Sequence, residues 1–259
     1  MALPVVTDRD RKLLRLIGEV GYVSTPQASR ELFPSHDRLR RRVKGLTAAK
    51  LVSVTVTSST EPRLLSLTRR GLALLVRKEP ELEGKLRLPG PLRLAGVAHR
   101  LAVTDAHLYA KGLGQKRGAP LLSWSGPGGS LGAELGLDAL GLRPDGLAEF
   151  KTPDGSVVIA VEVDRGTETL KVLERKLERY RPAAEDGRLD ALWLVVDSGA
   201  GRLLTLAGVA ERAELDEWVR VLPVDHLRQR PVRELPGRGQ EEDGPSGPNP
   251  ANTAVHDRR

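Results

Sequence analysis

Residues 143–180 read RPDGLAEFKTPDGSVVIAVEVDRGTETLKVLERKLERY, and this stretch decides the fold. Two runs that are typical of β-strands flank Thr152–Gly155, which contains the Pro-Asp-Gly sequence of a tight turn. In the second run branched residues alternate with other residues, and Glu162 and Asp164 fall on the same face of a strand. The pattern predicts an antiparallel hairpin that carries two carboxylates near its open end.

The length of the hairpin loop determines which residue faces Glu162. With a two-residue loop, Thr152 pairs with Gly155 and Asp145 lies directly opposite Glu162. A three-residue loop with a glycine bulge would shift the pairing by one residue and turn the two carboxylates to opposite faces. In the first register the neighbouring carboxylates repel each other, so a cation or a proton is expected between them. A hard divalent cation held by oxygen ligands is the first candidate.

The segment Thr167–Tyr180 after the hairpin has the apolar spacing of an amphipathic helix. Its predicted buried residues are Leu170, Leu173, Leu177 and Tyr180. On a helical wheel Lys176 borders this apolar stripe, whereas Lys171 points away from it. Lys176 is therefore the lysine that we expect beside the carboxylates.

Three features in order resemble the PD-(D/E)xK nuclease superfamily: Pro144-Asp145, then Glu162-Val163-Asp164, then a lysine on the next helix. The usual second-strand lysine position holds Asp164 here, and some members of that superfamily carry the lysine on the following helix. The segments EVDRGTE, residues 162–168, and ERKLERY, residues 174–180, resemble more narrowly those of the replication-relaxation family of plasmids and mobile elements. A winged-helix N-terminus is part of the same resemblance. This resemblance covers roughly Thr7 to Asp197.

The resemblance implies a restriction-endonuclease-like domain that cuts DNA with the help of a divalent metal. The catalytic residues that it implies are Asp145, Glu162, Asp164 and Lys176. It further implies Mg²⁺ as the cofactor, with Asp145 and Glu162 as the metal ligands. Because Asp164 stands where a lysine is usual, a second interpretation stays open, in which the chain is a non-catalytic winged-helix regulator of replication or transcription.

Charge is distributed unevenly along the 259 residues. The chain has 41 basic and 34 acidic residues, of which residues 1–90 hold 18 basic and 9 acidic ones. A basic N-terminal part on a nearly neutral body is typical of a nucleic-acid-binding module. With no cysteine, a thiolate zinc site is excluded. No signal peptide or apolar run of membrane-spanning length is evident, so we expect a cytoplasmic protein without a membrane partner.

The order of elements in residues 1–80 predicts a winged helix-turn-helix domain. Two helices that begin at Thr7 and Thr25 precede a basic third helix, His36 to Ala49. A strand pair and a fourth helix follow. DNA is the expected partner, since a major groove admits one such helix, and a homodimer is an open alternative to a monomer. The predicted DNA-binding residues are Arg38, Arg40, Arg41, Lys44, Arg63, Arg69 and Arg70.

The remaining chain is predicted to hold a linker, residues 81–91, a nuclease-like domain, residues 92–228, and a disordered tail, residues 229–259. The fold class is therefore α/β (α+β mixed), a winged helix-turn-helix followed by a restriction-endonuclease-like mixed-sheet domain. A helix is predicted at Leu92–Lys111, where His99 is interpreted as a packed or hydrogen-bonded core residue rather than a metal ligand. His99 and His107 are eight positions apart without a third partner at metal-site spacing, so the sequence gives little support for a histidine metal site.

Three further elements are predicted in the body of the chain. The glycine-rich loop Gly126–Gly136 is expected to cross over the site, where Glu134 would add a carboxylate. An apolar strand is predicted at Ala191–Val196, as in a sheet that is buried on both faces. A helix is expected at Ala207–Val219, with an edge strand at Arg220–Val224 after it.

Overall fold

The computed structural model describes residues 5–58, 61–86, 88–90 and 94–228. The tail predicted at residues 229–259 lies outside the described residues. Contacts group residues 1–229 into one compact unit. The N-terminal elements and the larger sheet that follows them therefore share one folded body.

Four helices and a small sheet form the N-terminal part. The helices are α1 Asp8–Val20, α2 Thr25–Leu32, α3 His36–Ala48 and α4 Arg69–Lys78. The strands are β1 Tyr22–Ser24, β2 Val52–Thr55 and β3 Leu64–Leu67. They pair in the order β1-β3-β2, and both pairs are antiparallel. The helices and the β2–β3 pair lie where the sequence predicts them, and β1 is an additional short strand.

Short polar side chains set the starts of these helices. Thr7 accepts a hydrogen bond from the Asp10 backbone N–H, and the Asp10 side chain accepts one from the Thr7 backbone, so a full capping box begins α1. Ser24 and Gln27 form the same reciprocal box at α2. Thr68 caps α4 by accepting from the backbone of Gly71. These local contacts explain why the sequence predicts the helix starts correctly.

The segment 81–91, predicted as a linker, packs against the N-terminal core over its described part. Leu82 and Leu86 are buried in that core. Leu86 lies against Gly18, where a Cβ atom would approach the leucine side chain to 3.1 Å. The Tyr22 hydroxyl donates to the Gly90 carbonyl at 2.8 Å. These contacts attach the segment to α1 and β1.

The second part of the chain is built on a five-stranded mixed sheet. Its strands are β4 Leu121–Ser125, β5 Gly146–Thr152, β6 Gly155–Asp164, β7 Ala191–Val196 and β8 Val219–Pro223. The strand order is β4-β5-β6-β7-β8, antiparallel from β4 to β6 and parallel from β6 to β8. The predicted mixed α/β class is thereby confirmed. The helices of this part are α5 Val97–Lys116, α6 Ser130–Glu134, α7 Leu170–Glu185, α8 Ala200–Arg212 and α9 Val224–Arg228.

The β5–β6 hairpin has the register of the two-residue loop. Thr152 pairs with Gly155, and the ladder runs back to the pair Gly146–Val161. Gly155 has a φ of 143°, a value that suits glycine. One step beyond the ladder, Asp145 and Glu162 are therefore the next opposed positions, as the shorter loop predicts.

Strand β6 lies between two helical layers. Its residues Val161 and Val163 pack in a cluster with residues of α5. Val158 and Ala160 belong to the cluster on the opposite face, which includes Leu177 and Tyr180 of α7. Since side chains alternate along a strand, Glu162 shares the α7 face with Val158 and Ala160. The sheet thus holds this carboxylate under α7.

Three helices differ from their predicted positions. The helix predicted at Thr167–Tyr180 is α7, Leu170–Glu185, and Leu170, predicted to be buried, is exposed at the first turn. The helix predicted at 92–111 runs from Val97 to Lys116, with a 3₁₀ turn at Leu94–Gly96 before it. The position predicted as 207–219 is wrong: α8 occupies Ala200–Arg212 and ends where Glu214 takes a φ of 52°. Leu215 donates its backbone N–H to the Ala210 carbonyl there, which closes the helix end. The apolar residues at 206–210 are compatible with both the predicted helix and the observed one. Hydrophobic periodicity alone therefore misplaces the two ends of this helix.

Candidate active site

Asp145 stands immediately before β5 and is held by two hydrogen bonds. Its Oδ1 atom lies 2.9 Å from His99 Nε2, and its Oδ2 atom accepts the Val163 backbone N–H at 2.9 Å. His99 belongs to the first turn of α5, and Val163 lies on β6. The carboxylate is therefore fixed between a helix and the neighbouring strand.

The pKa of Asp145 reflects these partners. Burial alone would raise it, but the hydrogen bond and charge of His99 outweigh burial, with help from the Val163 N–H and the Lys176 ammonium. The net effect lowers the pKa of Asp145 below its ordinary value. Asp145 is thus kept as a carboxylate in a mostly buried position.

Glu162 lies on β6 with both oxygens engaged by α7. Lys176 Nζ is 2.7 Å from Oε2, and the Tyr180 hydroxyl donates to Oε1 at 2.5 Å. Lys176 and Tyr180 are one helical turn apart, so they lie on the same face of α7. The Glu162 side chain is 6% exposed and the Lys176 side chain is 31% exposed. The carboxylate of the pair is therefore buried, and the lysine side chain is partly exposed.

Burial dominates the proton affinity of Glu162. It raises the pKa of this carboxyl to about 7, with a contribution from the Asp145 charge, although Lys176 and Tyr180 act in the opposite direction. Burial would lower the pKa of Lys176, but the Glu162 charge outweighs it and raises that pKa. Burial and the same carboxylate raise the pKa of Tyr180, so its hydroxyl keeps its proton. Asp145 and Glu162 thus differ in proton affinity although they are opposed on adjacent strands.

Asp164, at the end of β6, has partners of its own. Arg202 of α8 contacts both of its oxygens, with Nε–Oδ2 at 2.7 Å and the second contact at 3.1 Å. The Gly166 backbone N–H also donates to Oδ1 at 3.2 Å. Arg202 continues to the Glu168 carbonyl at 2.7 Å, which fixes the turn that leads into α7. This fork geometry is that of a structural ion pair between a strand end and a helix.

The structure thus brings Asp145, Glu162 and Lys176 into one neighbourhood, and Asp164 lines the same small cavity as Glu162 and Lys176. Lys171 is exposed. Glu134 is separated from this neighbourhood, because it lines a groove of about 550 Å³ beside the end of α1 and strand β4. The glycine-rich segment around it contains the short helix α6.

Sequence reasoning missed three residues of the site: His99, Tyr180 and Arg202. Tyr180 carried a usable signal, since a tyrosine at the end of a buried stripe needs a partner for its hydroxyl, and Lys176 lies one turn before it. His99 is 46 positions from its partner Asp145, and Arg202 is 38 positions from Asp164. Nothing local in the sequence links such distant positions.

The fit of a divalent metal can be judged from the donor atoms. Among the residues that the structure describes, no three His, Cys, Asp or Glu side chains gather into a group ready to hold a metal ion. Asp145 and His99 present an oxygen and a nitrogen side by side, which are donors that divalent metals accept. The Glu162 oxygens face Lys176 and Tyr180 and would have to exchange one of these partners for the metal. Asp145 and His99 therefore offer a donor pair that suits a divalent ion, and Glu162 would join them only after it leaves Lys176 or Tyr180.

A second candidate site is the outer face of α3. Leu39, Val43 and Leu46 are buried on its inner side. The four predicted cations of this helix, Arg38, Arg40, Arg41 and Lys44, are all exposed. Arg40 lies 3.4 Å from Asp37, and both side chains remain mostly in solvent. A surface pair of this kind contributes little, so the cations stay available to a partner.

The other predicted cations surround this module, and one further arginine has an internal role. Arg63, which precedes β3, and Arg69 and Arg70 at the start of α4 are exposed. Arg42 forms an ion pair with Asp10, a side chain that is completely buried at the start of α1. Arg42 therefore ties α3 to α1 and is not part of the exposed set.

Helix α5 joins the N-terminal part to the sheet through buried polar contacts. Gln27 donates to the Leu101 carbonyl at 2.9 Å, and Arg30 donates to Asp105 at 2.7 Å. Asp105 also accepts from Arg228 of α9 at 2.9 Å. The same helix carries His99, so the helix that contacts α2 also contacts Asp145.

His107 and Glu19 form a further contact between α5 and α1. His107 Nε2 lies 3.2 Å from Glu19 Oε2, and the imidazole is 1% exposed. The ring also packs edge-on against Trp124 of β4. This histidine is therefore a packed residue that contacts both α1 and the sheet.

Comparison with known proteins gives one family and one structural neighbour. Restriction endonuclease FokI matches at 13% identity with a TM-score of 0.32, covering 85% of this chain and 42% of that protein. The chain thus spans less than half of that endonuclease. No curated protein matches significantly. Within the described residues no helix is both long and apolar enough to cross a membrane. The replication-relaxation profile matches residues 14–191, more than half of the chain, and the protein therefore belongs to the replication-relaxation family.

Proposed function

We propose that this protein binds DNA during the replication or transfer of a plasmid or mobile element and cleaves it in a divalent-metal-dependent manner. Residues 1–80 are the winged helix-turn-helix module, and residues 92–228 are the PD-(D/E)xK nuclease-like domain. The observation that carries the proposal is the arrangement of Asp145 opposite Glu162 with Lys176 on the Glu162 carboxylate. The family match supports the link to replication.

The DNA-binding half rests on the exposed cations of α3. This helix offers Arg38, Arg41 and Lys44 to solvent while its apolar face packs on the N-terminal core. A helix of this kind fits the major groove, and its cations reach phosphates or guanine edges. Arg63, Arg69 and Arg70 would hold the backbone beside it. The excess of basic residues in residues 1–90 agrees with this assignment.

The catalytic half rests on Asp145 and Glu162, which would hold the metal ion. A bound Mg²⁺ would supply an activated water and neutralise charge on the phosphate. Lys176 would place its ammonium near the same phosphate, because its Nζ lies 2.7 Å from Glu162 Oε2 and its side chain is partly exposed. Tyr180 would orient Glu162 through its hydrogen bond to Oε1. Burial around Tyr180 excludes water from behind the carboxylate.

The test is nicking of supercoiled plasmid and cutting of single-stranded DNA, with Mg²⁺ and with Mn²⁺. Asp145→Asn keeps the size of the side chain but removes its charge, and we expect it to abolish cleavage. Lys176→Met is expected to abolish cleavage as well, whereas Lys171→Met, on the same helix but exposed, should cut like the wild type. A wild-type protein that cuts no DNA under any of these conditions would contradict the catalytic half.

The alternative function is a non-catalytic regulator of replication or transcription, and one observation favours it. Each of the three carboxylates already has a cationic or imidazole partner from its own chain: Asp145 has His99, Glu162 has Lys176, and Asp164 has Arg202. Such pairing stabilises the domain without a metal. DNA binding without metal-dependent cleavage would support this alternative.

A further inference from the structure

We propose that His99 is a nitrogen ligand of the metal centre, so that one ion is held by the His99 imidazole together with the Asp145 carboxylate. The inference rests on the proposed metal-dependent function and deepens it, because it adds a ligand and specifies which metals the centre prefers. Its experiment is chosen so that the two proposals can fail separately.

The distance between the two donor atoms supports a shared ion. His99 Nε2 and Asp145 Oδ1 are 2.9 Å apart. Two ligands that bind one octahedral ion side by side, each at about 2.1 Å, are about 3 Å apart. An ion could therefore bind with the two donor atoms at their present separation, provided that the imidazole turns its Nε2 lone pair from Oδ1 towards the ion.

Among the described residues, each of these two atoms has only the other as its hydrogen-bond partner. The Val163 N–H occupies the other oxygen of Asp145, which fixes the carboxylate plane and directs Oδ1 towards His99. The His99 side chain is 32% exposed and the Asp145 side chain is 19% exposed, so a hydrated ion can reach both. The contacts of Gln27 and Arg30 with α5 hold the helix that carries His99 in place.

The other histidine of α5, which is buried, provides a contrast. His107 is 1% exposed and packs against Trp124, and its Nε2 atom faces Glu19 on α1. An ion cannot reach it without opening the core. Of these two histidines, only His99 combines a carboxylate neighbour with access to solvent.

An imidazole ligand changes the metal preference of the centre. Mg²⁺ favours oxygen donors, whereas imidazole suits later first-row metals such as Co²⁺ and Zn²⁺, and Mn²⁺ accepts both kinds of donor. A centre with His99 should therefore bind Mn²⁺ or Co²⁺ more tightly than Mg²⁺. An all-oxygen centre built from Asp145 and Glu162 would show a weaker preference.

The experiment uses the full chain with Mn²⁺ as the probe, titrated by calorimetry and studied by pulsed electron paramagnetic resonance. We expect coupling of the Mn²⁺ electron spin to an imidazole nitrogen in the wild type. His99→Gln keeps a donor for Asp145 but removes the imidazole, so the coupling should disappear. The Mn²⁺ affinity should fall by about tenfold or more, a loss typical of disturbed metal sites, while the Mg²⁺ affinity changes less.

A matched control separates specific from adventitious coupling. His226 is an exposed histidine on α9 whose ring contacts Tyr109, and His226→Gln should keep both the coupling and the affinity. Circular dichroism and the melting temperature establish that each variant is folded. Retention of the coupling in His99→Gln would overturn the inference, and so would its loss in His226→Gln.

The remaining outcomes distinguish this inference from the proposed function. If Mn²⁺ binds without nitrogen coupling and His99→Gln cuts DNA like the wild type, the inference fails and the nuclease function stands. If the coupling is present but no DNA is cut with any metal, the ligand assignment stands and the catalytic proposal fails. Absence of Mn²⁺ binding to the wild type overturns the inference, and cleavage with Mg²⁺ then decides the function.

Discussion

Lys176 Nζ lies 2.7 Å from Glu162 Oε2, and Tyr180, one turn later on α7, donates to the other oxygen of the same carboxylate. Two donors from one helix thus satisfy a carboxylate on a buried strand. Burial raises the pKa of Glu162 to about 7 in spite of these donors. The ammonium therefore has a structural role in addition to the proposed catalytic one, and the two can be measured separately.

Replacement of Lys176 by methionine should lower the free energy of unfolding. The substitution leaves Glu162 buried without its cation, and the carboxyl must then be protonated or remain charged in an apolar environment. Because the Lys176 side chain is 31% exposed, we expect a loss of about 1–3 kcal/mol, less than that of a fully buried pair. Urea denaturation at pH 8 measures this loss.

The double variant Glu162→Gln with Lys176→Met is the matching control. Glutamine can still accept the Tyr180 hydrogen bond but no longer needs a cation. We expect the double variant to lose less unfolding free energy than the sum of the losses of the two single variants. The difference, which is the coupling energy, should be about 1 kcal/mol or more. Strict additivity would show that the ion pair contributes nothing to the fold.

Asp164 and Arg202 should behave as a structural pair and not as part of the metal centre. The Asp164 side chain is 3% exposed, and the arginine holds both of its oxygens. Arg202→Met should cost about 2–4 kcal/mol, since it leaves a buried carboxylate unpaired. Thermal denaturation measures this cost, and calorimetry should find the Mn²⁺ affinity of Arg202→Met unchanged. A large loss of Mn²⁺ affinity in Arg202→Met would show that Asp164 belongs to the metal centre.

The hairpin and its lysine were predictable because local rules determine them. The Pro-Asp-Gly turn predicts the hairpin with either of two registers, and the two-residue loop found in the structure is the one that places Asp145 opposite Glu162. The position of Lys176 at the border of an apolar stripe follows from helical periodicity. Both arguments use only neighbours in sequence, and the structure has both features.

The other partners of the carboxylates could not be predicted from periodicity. His99 reaches Asp145 only because α5 packs across the face of the sheet that is opposite α7. Arg202 reaches Asp164 because β7 runs parallel to β6 and returns α8 to the end of β6. Tertiary packing decides such pairs, and hydrophobic patterns carry no information about which charged groups they bring together.

Acid should weaken the contact between α1 and α5 through Glu19. Burial would raise the pKa of Glu19, but the hydrogen bond and charge of His107, helped by Arg15, lower it from 4.5 to about 2. A pKa that is lower in the folded state adds stability that is complete above about pH 4.5 and is lost as the pH falls towards 2. The contribution is about 3 kcal/mol.

Glu19→Gln should remove this acid dependence. We expect the free energy of unfolding of the variant to fall less steeply than that of the wild type between pH 4.5 and pH 2. Glu174→Gln is the control, because Glu174 pairs with Arg212 at the surface and both side chains are largely exposed. Chemical denaturation over this pH range makes the comparison. Equal slopes for Glu19→Gln and the wild type would contradict the assignment.

Gly146, next to Asp145, should not tolerate a side chain. A Cβ atom at this position would overlap the ring of Trp124 on the neighbouring strand. Gly146→Ala should therefore destabilise the domain by about 1–3 kcal/mol through overpacking. Gly112 on α5 has open space around its Cβ direction, so Gly112→Ala should stabilise by about 0.5–1 kcal/mol. Melting temperatures that move in the same direction would contradict this difference.

Affinity for DNA should depend on the outer face of α3. Neutralising Arg38, Arg41 and Lys44 together to glutamine should weaken binding and flatten its dependence on salt. Each phosphate contact contributes about 0.9 to the slope of log affinity against log salt concentration, so the slope should fall by up to about 3. Fluorescence anisotropy with duplex DNA at several salt concentrations measures both quantities.

The control for that experiment removes the same charge from another part of the surface. Lys116, Arg117 and Lys151 are exposed cations outside the N-terminal module. Changing all three to glutamine lowers the net charge of the chain equally, but the salt slope should stay near the wild-type value if α3 enters the groove. Equal loss of slope in both triple variants would show that the total charge, and not this helix, governs the attraction to DNA.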